Sequence, residues 1–214
     1  MSTVDNEQLR QRLADTRLVA ILRGTEVDAT VAAARTLLDA GIRTLEIALT
    51  LEGAEEAIAQ VVRDAPADAL VGAGTVLDGA DVERAASAGA QFMVTPTLSA
   101  SVEYAVRQGI GVLAGVYTPT EIQHGLDLGC AAVKLFPASA LGPGFIRAVR
   151  DPFPEARIIP VGGVTVDTVA AYLSAGAFGV GVGGPLVGDA ASPGGDLAAL
   201  TVRAVSFAEA VRAS

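Results

Sequence analysis

Lys134 stands inside the apolar run Ala131-Ala132-Val133-Lys134-Leu135-Phe136-Pro137, which has the length and composition of a buried strand. An ammonium there is costly unless it is paired or does chemistry. The segment Thr44-Leu45-Glu46-Ile47-Ala48-Leu49 repeats the anomaly with the opposite sign. A desolvated amine can attack a carbonyl and form a Schiff base, whose iminium then draws electrons from the neighbouring bond. A carboxylate within reach, directly or through one water, moves the protons that such a reaction needs. Lys134 and Glu46 are therefore the candidate catalytic residues. The competing reading is a structural ion pair, but an apolar replacement of such a pair is often as stable, which weakens a purely structural reason for keeping it.

Other residues are suited to holding a substrate. Gly162-Gly163 and Gly183-Gly184 would let backbone N–H groups approach a phosphate, although tight turns use the same glycines. Arg23 is a candidate for neutralising a phosphate or carboxylate, or else a solvated residue. Thr75 and Thr97 are hydroxyl donors of the kind that orient a carboxylate and are equally common in loops. Phe136, two residues after Lys134, should share its side of the strand and wall a small substrate, or else fill the core. Gly179-Val180-Gly181-Val182-Gly183-Gly184 matches the dinucleotide fingerprint in form only, since it ends a strand with no βαβ unit and acidic ribose partner downstream. His124 is the one histidine and falls in a helical stretch, so neither a Ser-His-Asp triad nor a zinc centre can be assembled around it. No metal and no cofactor are expected, an all-oxygen magnesium site being the one alternative left.

The elements that must position these residues repeat along the chain. Asp39-Ala40-Gly41-Ile42, Ser87-Ala88-Gly89-Ala90, Arg107-Gln108-Gly109-Ile110, Asp127-Leu128-Gly129-Cys130 and Ser174-Ala175-Gly176-Ala177 all read as a helix end capped by glycine and followed at once by a strand. Strand-like runs are expected at about 17–22, 43–49, 69–73, 91–95, 110–114, 131–136, 157–161 and 178–182. Helical patterns separate them, the last at about 196–212, with an extra helix at about 5–15 before the first strand. Eight such units predict an α/β fold, a (β/α)8 TIM barrel with an extra N-terminal helix, as a single domain over 1–214. A doubly wound sheet would normally use fewer strands. In a barrel the C-terminal strand ends carry the chemistry, and all the candidates fall there.

Composition narrows the partners. With 214 residues, 51% of them hydrophobic, the chain can bury one sizeable core. A net charge of -9 with scattered basic residues speaks against nucleic acid. A single cysteine, Cys130, allows no internal disulfide. The apolar stretches are short, and the polar start Met1-Ser2-Thr3-Val4-Asp5-Asn6-Glu7 lacks the features of a secretory signal, so no membrane partner and a cytoplasmic location are expected.

Taken in order, Leu45-Glu46-Ile47, Val71-Gly72-Ala73-Gly74-Thr75-Val76-Leu77, Val94-Thr95-Pro96, Lys134-Leu135-Phe136-Pro137-Ala138 and Val161-Gly162-Gly163-Val164 resemble the 2-keto-3-deoxy-6-phosphogluconate aldolase family. Its members are class I pyruvate aldolases, among them the 2-keto-3-deoxy-6-phosphogalactonate and 4-hydroxy-2-oxoglutarate aldolases. The resemblance spans nearly the whole chain. It implies that Lys134 forms the Schiff base with pyruvate or the keto acid and that Glu46 is the general acid and base working through water. It further implies that Thr75 holds the pyruvate carboxylate, Phe136 lines the pocket, and Gly162, Gly163, Gly183 and Gly184 meet a distal phosphate. A homotrimer is implied as well.

Two positions depart from the family pattern. Thr50 stands where phosphogluconate-type members carry arginine and galactonate-type members asparagine, and Gly184 stands where both usually carry serine. The Ile21-Leu22-Arg23-Gly24 block and the Gly142-Pro143 pair lean toward the phosphogalactonate branch. The expected activity is reversible cleavage of a 2-keto-3-deoxy sugar acid, 6-phosphorylated, to pyruvate and an aldehyde such as glyceraldehyde 3-phosphate. The alternatives are a 4-hydroxy-2-oxoglutarate aldolase, a non-aldolase phosphate-binding barrel isomerase or synthase, and a non-catalytic sugar-phosphate binding protein.

Overall fold

The computed structural model of the chain describes residues 3–214, so Met1 and Ser2 of the expected domain lie outside the described residues. Eight parallel strands form one sheet: β1 (Leu18–Leu22), β2 (Thr44–Ala48), β3 (Leu70–Gly74), β4 (Phe92–Val94), β5 (Gly111–Val116), β6 (Ala132–Leu135), β7 (Ile158–Pro160) and β8 (Val180–Val182). The helices are α1 (Asn6–Thr16), α2 (Val27–Asp39), α3 (Ala54–Asp64), α4 (Gly79–Ser87), α5 (Ala100–Arg107), α6 (Pro119–Asp127), α7 (Gly142–Arg150), α8 (Val166–Ser174), α9 (Gly184–Val187) and α10 (Leu197–Arg212). Each expected strand is present within three residues of its expected ends, and α1 is the expected additional helix. The single-turn α9 was not expected, because four residues are too few to show a helical period.

Each strand from β1 to β6 pairs with the next in sequence, and β1 pairs with β8, so the sheet curls into a nearly closed barrel. The remaining seam, β7 to β8, is held by the Val161–Gly181 bridge and by Phe178 N–H donating to Ile158 O at 2.8 Å. Pro160 explains this weak edge. Val161 N–H points to β6, where it meets Leu135 O at 2.9 Å, so the N–H that proline lacks would have pointed at β8. 

Side chains alternate between two cores, as the period of a strand requires. Outward-facing Leu45, Ile47, Val133 and Leu135 pack against the helices, whereas Val19, Ile21, Leu70, Phe92, Leu113 and Ile159 fill the barrel. Glu46 pairs in register with Ile21 and Gly72, and Lys134 with Gly115 and Ile159, which places both charges among the inward-facing positions. At the other end of the barrel α1 acts as a plug. Leu9 and Leu13 are buried in the inner core, and Asn6 Oδ1 accepts hydrogen bonds from Val112 N–H (2.8 Å) and Ala131 N–H (2.9 Å). An Asp5–Gln8 capping box begins the helix.

Candidate active site

Lys134 and Glu46 reach toward each other across the barrel from β6 and β2. Nζ lies 3.6 Å from Glu46 Oε1, and the two side chains are 3% and 1% exposed. Among the described residues Glu46 Oε1 has no hydrogen-bond partner, and the carboxylate faces the amine at a distance longer than a normal hydrogen bond. Room for it comes from the next strand, where a Cβ on Gly74 would sit 2.0 Å from Oε1. Any larger residue at 74 would displace the carboxylate.

A pocket of about 180 Å³ opens between the ends of β1, β6, β7 and β8. Arg23, Phe136, Gly162, Gly163, Gly183 and Gly184 all line it. Phe136 links the pocket to the buried pair, since its ring lines the one and its centroid stands 5.7 Å from Lys134 Nζ. It lies just beyond β6 and its N–H donates to Val116 O at 3.1 Å, which holds the ring at the mouth. The consecutive glycines 162 and 163 adopt φ of 92° and 80°, a left-handed backbone that other residues resist, and a Cβ on Gly163 would meet Ser139 Cβ at 2.6 Å. Ser139 N–H donates to Gly162 O at 3.0 Å, tying the loop after β6 to the loop after β7. 

Arg23 and Thr75 also meet, with Nη1 donating to Thr75 Oγ1 at 3.4 Å across the mouth. Thr75 has φ of 60°, an uncommon conformation for a β-branched residue. Thr97 is exposed, and its backbone carbonyl accepts from the hydroxyl of Thr95 at 2.7 Å. Thr95 itself is a residue that sequence reasoning passed over. It is 1% exposed, and its Oγ1 also accepts Gly115 N–H at 3.1 Å, fastening the loop after β4 beside the strand neighbour of Lys134. The signals in the sequence were its place at a strand end and in the Val94-Thr95-Pro96 block, neither of which assigned it a role. Thr50 is exposed in the turn after β2, and His124 is exposed on α6.

The arrangement is an amine and a carboxylate buried in the barrel, joined through Phe136 to a pocket at the C-terminal ends of the strands, and it suits the chemistry of a class I aldolase. Comparison with known proteins agrees with it. Residues 9–202 match the aldolase family described as KDPG and KHG aldolase. The 2-dehydro-3-deoxy-6-phosphogalactonate aldolase of Escherichia coli (strain K12) is 40% identical over 172 residues, 79% of this chain and 83% of that protein. A native KDPGal structure superposes with a TM-score of 0.85 at 35% identity, covering 92% of this chain and 94% of the other. A KDPG aldolase from Legionella pneumophila, solved with pyruvate captured as a covalent carbinolamine intermediate, has a TM-score of 0.80 at 25% identity, covering 95% and 96%. The chain belongs to the KDPG and KHG aldolase family. It is an aldolase, a carbon–carbon lyase that acts on a 2-keto-3-deoxy sugar acid.

Proposed function

We propose that the chain cleaves a 6-phosphorylated 2-keto-3-deoxy sugar acid of the galactonate type to pyruvate and glyceraldehyde 3-phosphate, with Lys134 as nucleophile and Glu46 as general acid and base. The observation that carries this reading is the buried Lys134 Nζ standing 3.6 Å from a Glu46 oxygen that has no hydrogen bond. An ammonium that passes a proton to that oxygen becomes the neutral amine the reaction needs. Nζ then adds to the C2 carbonyl, and Glu46 returns its proton to the carbinolamine hydroxyl, which leaves as water to give an iminium and a free carboxylate. Glu46, directly or through one water, takes the proton of the C4 hydroxyl. The C3–C4 bond breaks, its electrons pass to the iminium, and the aldehyde leaves. Protonation of the enamine at C3 and addition of water release pyruvate and restore the amine.

Arg23 and Thr75, already hydrogen-bonded to each other, take the carboxylate, with Thr97 at the rim and Phe136 as the apolar wall. The glycine turns at 162–163 and 183–184 receive the phosphate through backbone N–H groups. The reaction as written uses no metal or cofactor. The galactonate preference is supported by the similarity to the E. coli phosphogalactonate aldolase and by the Ile21-Leu22-Arg23-Gly24 block. The chain works as one barrel domain, assembles as a homotrimer and resides in the cytoplasm; among the described residues no helix is long and apolar enough to cross a membrane.

Lys134 is the chain's only lysine, which makes the decisive experiment clean. Treatment with pyruvate and borohydride is expected to add a reduced pyruvate to the peptide holding Lys134, seen by mass spectrometry. No adduct, or one confined to the N-terminal amine, would overturn the mechanism. Turnover on the phosphogalactonate, phosphogluconate and 4-hydroxy-2-oxoglutarate substrates then settles preference, and sedimentation of the whole protein tests the trimer.

A further inference from the structure

The turn that brings Gly183 and Gly184 to the pocket is α9, a four-residue element whose last carbonyls are met by a side chain from another helix. Arg203, on α10, donates Nε–H to Leu186 O at 2.6 Å and Nη2–H to Val187 O at 2.9 Å. Its guanidinium also lies against Gly188, where a Cβ would stand 2.8 Å from Nη2. Gly188 N–H closes the turn on Gly184 O at 2.8 Å. So short a helix has little stability of its own, because nucleation fixes several residues for very few hydrogen bonds. The planar fork of an arginine can hold two carbonyls at once, as a lysine cannot. Arg203 forms no ion pair among the described residues. On the pocket side, by contrast, a Cβ on Gly184 would meet nothing within 4 Å.

We infer that Arg203 is a positioning residue for substrate recognition: by clamping the carbonyl end of α9 it holds the amides of Gly183 and Gly184 where the distal anionic group docks. This inference rests on the proposed function of the same pocket and deepens it. With no hydroxyl at 184, recognition of that group falls to the backbone, and so to whatever holds the backbone still. The substrate class that profits is a keto acid ending in a phosphate dianion, not one ending in a neutral hydroxyl.

Steady-state kinetics of the wild type, Arg203→Met and Arg203→Lys test this on a phosphorylated 2-keto-3-deoxy acid and on the same acid without its phosphate. Arg203→Met is expected to raise KM for the phosphorylated acid about tenfold while leaving kcat within about twofold, the pattern of lost binding and intact chemistry. Inhibition by inorganic phosphate should weaken in parallel, KM for the unphosphorylated acid should not move, and Arg203→Lys should recover part of the loss. Equal changes on both acids, or no change in KM and phosphate inhibition, would overturn the inference. Should Arg203→Met fail to fold, Arg203→Lys decides alone: a smaller selective rise in KM supports the inference, and its absence rejects it. Pyruvate trapping of the wild type keeps the two failures apart, because pyruvate has no distal group. If no adduct forms and no acid is cleaved, the effect of the substitutions on the melting-temperature shift produced by inorganic phosphate still decides the role of Arg203.

Discussion

At the N-terminal mouth of the barrel Asn6 Oδ1 accepts two strand amides, Gln91 Oε1 accepts Val71 N–H at 2.9 Å, and Val4 exchanges backbone bonds with Gln91 and Gly111. At the C-terminal mouth, the more deeply buried Glu46 Oε1 accepts none among the described residues and faces Lys134 across a gap. Both ends bury polar atoms inside the same cylinder. One end answers each of these with a partner, which stabilises the fold; the other leaves hydrogen-bonding capacity open, which is costly to stability and available to a substrate. On the proposed mechanism, the difference separates the end that holds the barrel together from the end that reacts.

The sharpest way to test that contrast is to remove the charges from the reactive end. Lys134→Met should lower kcat/KM by roughly four orders of magnitude or more, as loss of a nucleophile does elsewhere, and Glu46→Gln by roughly two to four. The double variant Lys134→Met/Glu46→Met, which removes the pair without stranding a charge, should remain as stable as the parent or gain about 1–4 kcal/mol in urea unfolding. A large loss of stability in the double variant would mean that the pair is structural after all.

The converse changes belong to the plug. Leu9→Ala should cost about 2–5 kcal/mol of stability, and Asn6→Ala about 1–3 kcal/mol for each strand amide left unpaired. Neither should change kcat by more than about twofold, since α1 lies at the opposite mouth. If activity falls along with stability, the two ends are not independent.

A smaller effect is expected at Gly184. Open space surrounds its would-be side chain, so Gly184→Ser should fit and lower KM for a phosphorylated substrate by roughly 2- to 10-fold, the worth of one net hydrogen bond. An unchanged KM would show that the distal group docks elsewhere. The least effect is expected at Cys130, four residues before Lys134. Burial pushes its thiol up to about 11 and leaves it 1% exposed. Iodoacetamide at pH 8 should find almost no thiolate there, so alkylation should require unfolding or a pH near that value, while Lys134 of the same folded protein should still accept pyruvate.

Much of this was legible along the chain. The repeated helix–glycine–strand junctions carry the barrel, because a left-handed cap and an aliphatic run are local features. Lys134 and Glu46 announced themselves as charges in apolar strands. Other features have no local signature. Arg203 reads as one more helix arginine, Thr95 as a strand-end hydroxyl, and Pro160 as a residue near the end of a run; their meaning depends on what lies opposite them.

By itself, then, the sequence determined the order and kind of the elements and which charged residues would be out of place, since periodicity, caps and burial cost act over a few neighbouring residues. Only the tertiary structure decided that the amine and the carboxylate stop 3.6 Å apart, that Gly74 makes the room for it, and that a guanidinium from α10 holds the turn above them. Those distances come from curling eight strands into one cylinder, which brings together residues dozens of positions apart whose proximity no local pattern encodes.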